Sequence, residues 1–202
     1  MTDLAQPGRL PVAAKETNST GWWGVLCLIA TEGSLFAYLL FSYYYIAVQR
    51  GAAWSPEPHP DMTLAAPNTV ILLSSSVAAW WGEQGAKQGK RGRLLLGLGG
   101  AILLGGVFLV VQLFEWKQKT FSLSSGSYGS LFFTITGFHM MHVIVGVLLM
   151  TVVFAWSAMG LYSARRHEPV SNVITYWHFV DAVWLAVFST FYLSPYLMGW
   201  SG

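Results

Sequence analysis

Glu32, Glu115, His139, His142, His178 and Asp181 are the side chains of this chain best suited to proton or metal chemistry. All six stand in, or at the edge of, stretches otherwise almost free of charge. An ionisable group at membrane depth is costly, so such residues face a bundle interior, a water pocket or a partner subunit. His139 and His142 are spaced i, i+3, as are His178 and Asp181, and that spacing shares a helix face. Two imidazoles from one helix with a histidine and a carboxylate from another would suit a metal ion. Against that, no thiolate or fourth histidine stands at a matching depth, and an Asp three residues from a His is also a natural hydrogen-bonded pair. Three readings stay open: hydrogen bonding inside a bundle, proton or lipid contact, and metal or haem ligation, for which His142 with His178 is the one candidate combination.

Glu32 lies about eleven residues into its apolar stretch, or ~16 Å along a helix axis, close to a bilayer midplane. An acidic residue there costs about 2.5–3.5 kcal/mol on insertion scales. Protonation, a hydrogen-bonded partner or a lipid headgroup drawn inward would each offset that cost. Glu115 and Trp116 end another stretch at a boundary, where a carboxylate reaches water; with Gln112, one turn earlier, they are expected as interfacial polar residues. No activated nucleophile, phosphate-cradling loop or thiolate cluster is present, so no catalytic residue and no metal ligand is expected.

The elements that position these residues are five apolar spans. Of 202 residues 54% are hydrophobic and only 10% charged, where a soluble domain carries about 25% charged residues. Roughly 20 apolar residues cross a hydrocarbon core as a helix. Helices are expected over about 21–48, 67–85, 94–116, 128–161 and 170–198, behind a polar tail at 1–20, with 21–202 as one all-α membrane domain. The tail lacks the immediate apolar core of a secretory signal peptide, so it is expected to be a short flexible segment. Arg9, Lys15, Lys87, Lys90, Arg91, Arg93, Arg165 and Arg166 fall on one side, against Arg50, Lys117 and Lys119 on the other. By the positive-inside rule the N-terminus is cytoplasmic and the C-terminus outside. A net charge of +2 is too small to suggest nucleic acid, and the lone Cys27 forms no internal disulfide.

Other features read as packing. The first outer loop, 51–66, is rich in proline (Pro56, Pro58, Pro60, with Pro67 just past it) and should be irregular. Gly97, Gly99, Gly100, Gly105 and Gly106 suggest close helix approach, which small residues permit in lipid. Trp22, Trp23, Tyr43 to Tyr45, Trp80, Trp81, Tyr192, Tyr196 and Trp200 suggest interfacial belts. A transporter would show an inverted repeat and broken midplane helices, and neither is visible.

Several segments resemble subunit III of the haem–copper respiratory oxidases, the cytochrome c oxidase subunit III family, in order and spacing. They are Thr31-Glu32-Gly33-Ser34-Leu35-Phe36, Pro67-Asn68-Thr69 through Ser76, and Gln112 to Trp116. More specific are Tyr128 to Phe133 continuing through His139-Met140-Met141-His142-Val143 to Gly146, and Tyr176-Trp177-His178-Phe179-Val180-Asp181 through Leu185. Thr31, Gly33 and Met140 depart from the residues usual in the family, and five helices match its bacterial type. The resemblance implies a subunit without haem or copper of its own, packed on the haem- and copper-bearing subunits I and II and meeting cytochrome c only through them. It implies a V-shaped bundle whose cleft holds phospholipids, with the acid matching Glu32 in that region. From the residues themselves, Glu32 and Asp181 each lie about eleven residues into spans that enter from the same side, so Glu32, His139, His142, His178 and Asp181 are expected to share a buried, lipid-facing or polar cluster of helices 1, 4 and 5. It further implies support of proton uptake and of catalytic-subunit stability, in a bacterial inner (plasma) membrane. Quinol oxidases and nitric oxide reductase accessory subunits share the pattern; a haem b or quinone-binding anchor is the more distant reading.

Overall fold

In the computed structural model, residues 19–54, 62–163 and 167–197 are described. The expected tail at 1–18, Pro56, Pro58, Pro60, Arg165, Arg166, Met198 and Trp200 lie outside them. The described residues form α1 (Thr20–Arg50), a 3-10 turn (Gly51–Trp54), α2 (Met62–Lys87), α3 (Arg91–Gln118), α4 (Ser127–Ala158) and α5 (Glu168–Phe188). A π turn, Ser189–Leu193, carries α5 into the short α6 (Ser194–Leu197). Five of these spans are long and apolar enough to cross a membrane, and no β-strand occurs among the described residues.

Local chemistry sets the ends. Ser19 Oγ accepts the Trp22 N–H at 3.3 Å and opens α1. Pro169 sits in the first turn of α5, where its missing N–H goes unused. α2 and α4 close with the same device. Gly89 (φ 70°) and Gly160 (φ 80°) take a left-handed conformation that a Cβ disfavours. Their N–H groups reach Ala86 O and Ser157 O, while the next N–H groups reach Gly85 O and Trp156 O. α4 therefore stops at Ala158, three residues before the expected Leu161. α2 starts at Met62, five residues before the expected Pro67. Pro67 lies inside its second turn, so the lost N–H removes a bond near the helix end rather than in its middle.

α5 is the central element, packing on α1, α2 and α4; α3 pairs with α2 and α4. Only 6% of the apolar window of α1 is buried, against 50% for the last span, so α1 is peripheral. Lipid is as apolar as leucine, so shape and hydrogen bonds must hold these helices together. At the α2–α3 crossing Gly82 and Gly97 meet backbone to backbone. A Cβ on Gly97 would lie 2.6 Å from Gly82 N and 2.7 Å from Ala78 O. Trp177 of α5 fills a slot made by two further glycines. A Cβ on Gly105 of α3 would stand 2.9 Å from the indole, and one on Gly146 of α4 2.6 Å. The interfacial expectation fails for Tyr43 and Tyr192, both fully buried. With Trp54, Tyr128 and Phe191, Tyr43 forms an aromatic plug where α1, α4 and the π turn meet, its ring 4.9 Å from Phe191 and 5.3 Å from Trp54.

Gly97→Ala should therefore destabilise by about 1–3 kcal/mol, the usual cost of overpacking. Gly106→Ala, with nothing within 4 Å of its added carbon, should be near neutral. Thermal unfolding of the two variants in detergent compares them directly.

Candidate functional site

The ionisable residues separate into distinct groups rather than one cluster. Glu32 of α1 and His142 of α4 form the first, with His142 Nε2 3.0 Å from Glu32 Oε2. The other ring nitrogen, Nδ1, lies 2.6 Å from Phe138 O. A carbonyl oxygen only accepts, so Nδ1 carries a proton and donates. Nε2 then either gives a proton to a carboxylate or takes one from a carboxylic acid. Either way the pair is neutral and holds one shared proton. The Phe36 ring lies edge-on, 5.0 Å from the imidazole. Gly33 faces Phe179 of α5, and a Cβ there would stand at ordinary contact distance, 3.7 Å from the ring, so this approach does not require glycine.

His139 shares a helix with His142 but points elsewhere. It is fully buried among Phe36 of α1, Phe108 of α3 and Trp184 of α5, its ring 5.0 Å from the indole of Trp184. Neither ring nitrogen meets a protein hydrogen-bonding partner. An imidazole in such a setting is a neutral aromatic filler.

The second group is a seam between α2 and α5, which run antiparallel. Ser76 Oγ donates to Asp181 Oδ2, and His178 Nδ1 stands 2.9 Å from the same Oγ. With its one proton given to Asp181, that oxygen accepts from Nδ1–H. The expected direct pair between His178 and Asp181 is thus replaced by a serine bridge from a different helix. A turn away on either side, Trp177 Nε1 donates to Ser75 Oγ at 3.0 Å and Trp184 Nε1 donates to Thr69 Oγ1 at 2.9 Å. Both hydroxyls pass their own protons to α2 carbonyls, Leu72 O and Ala65 O. Asn68 ties α2 to α3 by donating to Phe108 O at 3.3 Å.

The third group gathers Gln112, Glu115 and Trp116, and the contact of the Glu115 carboxylate with water that its place at a helix end suggested is not found. Glu115 is 3% exposed and Gln112 is fully buried. The Glu115 carboxylate accepts from Tyr192 OH of the π turn, from Gln112 Nε2 at 3.2 Å and from Lys119 Nζ at 2.8 Å. Lys119 also stands 5.3 Å over Phe132 and 5.2 Å over Tyr192. The end of the last span folds back over α3 and seals the carboxylate from water. The Trp116 indole packs edge-on against Phe133 at 5.5 Å, and its Nε1 is enclosed as well.

Among the described residues no three His, Cys, Asp or Glu side chains converge as a metal ion would require. His142 faces α1 and His178 faces α2, so the two cannot clamp one haem between them. Sequence reasoning missed Thr69, Ser75, Ser76, Trp177, Trp184, Lys119 and Tyr192 as members of these groups. The Ser74-Ser75-Ser76 run and the seven-residue Trp177–Trp184 interval were the available signal.

The family model described as cytochrome c oxidase subunit III matches residues 8–196. Among similar proteins, the human protein named cytochrome c oxidase subunit 3 is 32% identical over 177 residues, spanning 84% of this chain and 68% of that relative. The horse protein of the same name is 33% identical over the same shares. That of Locusta migratoria is 30% identical, with 84% of this chain and 67% of the relative covered.

Removing one partner of the buried Glu115–Lys119 pair should cost more than removing both. Glu115→Gln or Lys119→Met alone should destabilise by about 3–5 kcal/mol, while the double variant recovers much of that loss. A double-mutant cycle on thermal unfolding measures the difference.

Proposed function

The chain belongs to the cytochrome c oxidase subunit III family, and from that premise we propose that it is a non-catalytic subunit supporting proton uptake in a haem–copper terminal oxidase. As subunit III of such an oxidase it is a multi-pass membrane protein and works in a complex with other oxidase subunits. In the proposed arrangement it packs on subunits I and II, which carry haem and copper, in the plasma membrane of a bacterium, with its N-terminus cytoplasmic. Its own contribution is structural phospholipid and a buried proton-bearing pair.

The observation that carries this reading is the geometry at Glu32. The His142 tautomer is set by Phe138 O, so the pair holds a single proton that either partner can bear with no change in net charge. A group that holds a proton at no charge cost suits the low-dielectric edge of a proton-uptake route. The Glu32 side chain is 29% exposed and that of His142 13%, so the pair also lies within reach of a lipid or neighbouring subunit at the α1–α4 edge. The haem-anchor reading draws no support, since both nitrogens of His142 are already engaged.

A tag on this chain should co-purify a large haem- and copper-bearing subunit from a detergent extract. In that complex, Glu32→Gln and His142→Phe should leave the visible haem spectrum unchanged. They should shorten the active lifetime during turnover or lower the phospholipid phosphorus retained per complex. Loss of haem absorbance would overturn the assignment.

A further inference from the structure

The turn between α2 and α3 and the end of α4 enclose a pocket unrelated to any of the groups above. It is a shallow recess partly open to solvent, lined by Gly89, Arg91, Ser157, Tyr162 and Ser163 over an apolar floor of Ala86 and Leu94. Its polar lining is cationic or hydroxylic throughout. Arg91 Nη2 donates to Ala158 O, one of the last carbonyls of α4, which fixes the guanidinium at the mouth and leaves further N–H donors. Tyr162 OH is enclosed yet meets no protein hydrogen-bonding partner. Burial raises its pKa above the ordinary phenol value, so it stays a neutral donor. Ser163, exposed at the rim, adds a third donor.

Glu83 is taken up by Lys87 at 2.9 Å, whereas the described hydrogen bonds of Arg91 and Arg93 go to uncharged carbonyls, Ala158 O and Trp81 O. Arg93 also lies 4.9 Å over the Trp81 ring. Among the described residues no carboxylate lines the pocket. A guanidinium and neutral hydroxyls converging without an acid suit a phosphate oxyanion, which accepts charge-assisted hydrogen bonds from each. The pocket lies where α2, α3 and α4 end, the level of lipid headgroups for helices that cross a bilayer.

We propose that this pocket binds the phosphodiester of an anionic phospholipid, one whose headgroup bears no ammonium. The same chemistry would accept free phosphate. A zwitterionic headgroup is disfavoured because its cation would face Arg91 with no acid to receive it. Basic pockets between spanning helices at the cytoplasmic side are suited to acidic headgroups, and the positive-inside count places this end there. The site rests on the reading of the chain as a membrane subunit, and does not depend on the Glu32–His142 pair.

The test uses the intact oxidase complex, delipidated in detergent and titrated with phosphatidylglycerol or phosphatidylcholine while native mass spectrometry counts bound lipid. Haem content per complex reports separately on assembly, so failure of the subunit assignment would appear there and not in lipid affinity. Wild type should hold one phosphatidylglycerol about tenfold more tightly than phosphatidylcholine, since both offer the phosphodiester and only choline sets a like charge against Arg91. Ser163→Asp, which leaves the Arg91–Ala158 bond intact, should erase that preference. Tyr162→Phe should weaken phosphatidylglycerol binding several-fold. Equal phosphatidylglycerol affinity in wild type and Ser163→Asp overturns the proposal. So does displacement of the lipid by an excess of inorganic phosphate, which would assign the pocket to the free anion.

Discussion

The placement of Trp177 constrains the rest of the bundle. Its indole lies against two glycines on two different helices and donates to a hydroxyl on a third, so α2, α3, α4 and α5 all meet at one side chain. In water such a tryptophan would be held by the hydrophobic effect. In lipid that term is absent between helices, and close contact together with interhelical hydrogen bonding must substitute. Gly105 and Gly146 supply the contact because any larger residue would collide with the ring. Ser75 supplies the bond, and its own proton stays on the α2 backbone. Trp184 with Thr69 repeats the arrangement two turns along, which keeps α2 and α5 in register over the depth of the membrane.

Given that frame, each ionisable side chain is accommodated by a different chemistry. Glu32 is neutralised by a proton shared with His142. Asp181 is bridged through Ser76 to His178. Glu115 is left charged and matched to Lys119, whose ammonium is also covered by two aromatic faces. His139 has no protein partner and is tolerated because an uncharged imidazole packs as an aromatic ring. The ordering follows depth. The fixed ion pair sits at a helix end, where an ammonium on a flexible stem reaches the carboxylate, whereas the groups deeper in the bundle rely on neutral or proton-sharing contacts.

The five spans and the close packing at Gly97 and Gly105 could be read from the sequence because they depend on runs of apolar residues and on small side chains; Gly99, Gly100 and Gly106 share the pattern without making a close approach. The burial of Glu115 could not. Distance from a helix end suggested contact with water, and only the return of the π turn, which brings Tyr192 over α3, reverses that. The same limit applies to His178 and Asp181. Their i, i+3 spacing was visible, but the serine that separates them belongs to a helix about 100 residues earlier. Pro67 misled for a different reason. Proline marks a helix start so often that its tolerance within the second turn was hidden.

The Glu32–His142 contact matters more for charge than for adhesion. Interhelical hydrogen bonds in membranes contribute on average about 0.6 kcal/mol, with a maximum of about 1.7. An unpartnered acid near the midplane costs about 2.5–3.5 kcal/mol. The pair therefore does little to glue α1 to α4, and most of its value lies in removing the penalty for carrying Glu32 at all. α1 is also the span least buried by its own chain, linked otherwise by Tyr44 OH to Thr190 Oγ1 at 3.2 Å and by the aromatic plug around Tyr43. An acid that served only packing would be replaced at lower cost by leucine on such a helix. Its presence on the most loosely held span, beside an imidazole whose tautomer is fixed by a backbone carbonyl, accords with the proposed proton-bearing role rather than with a role in packing alone.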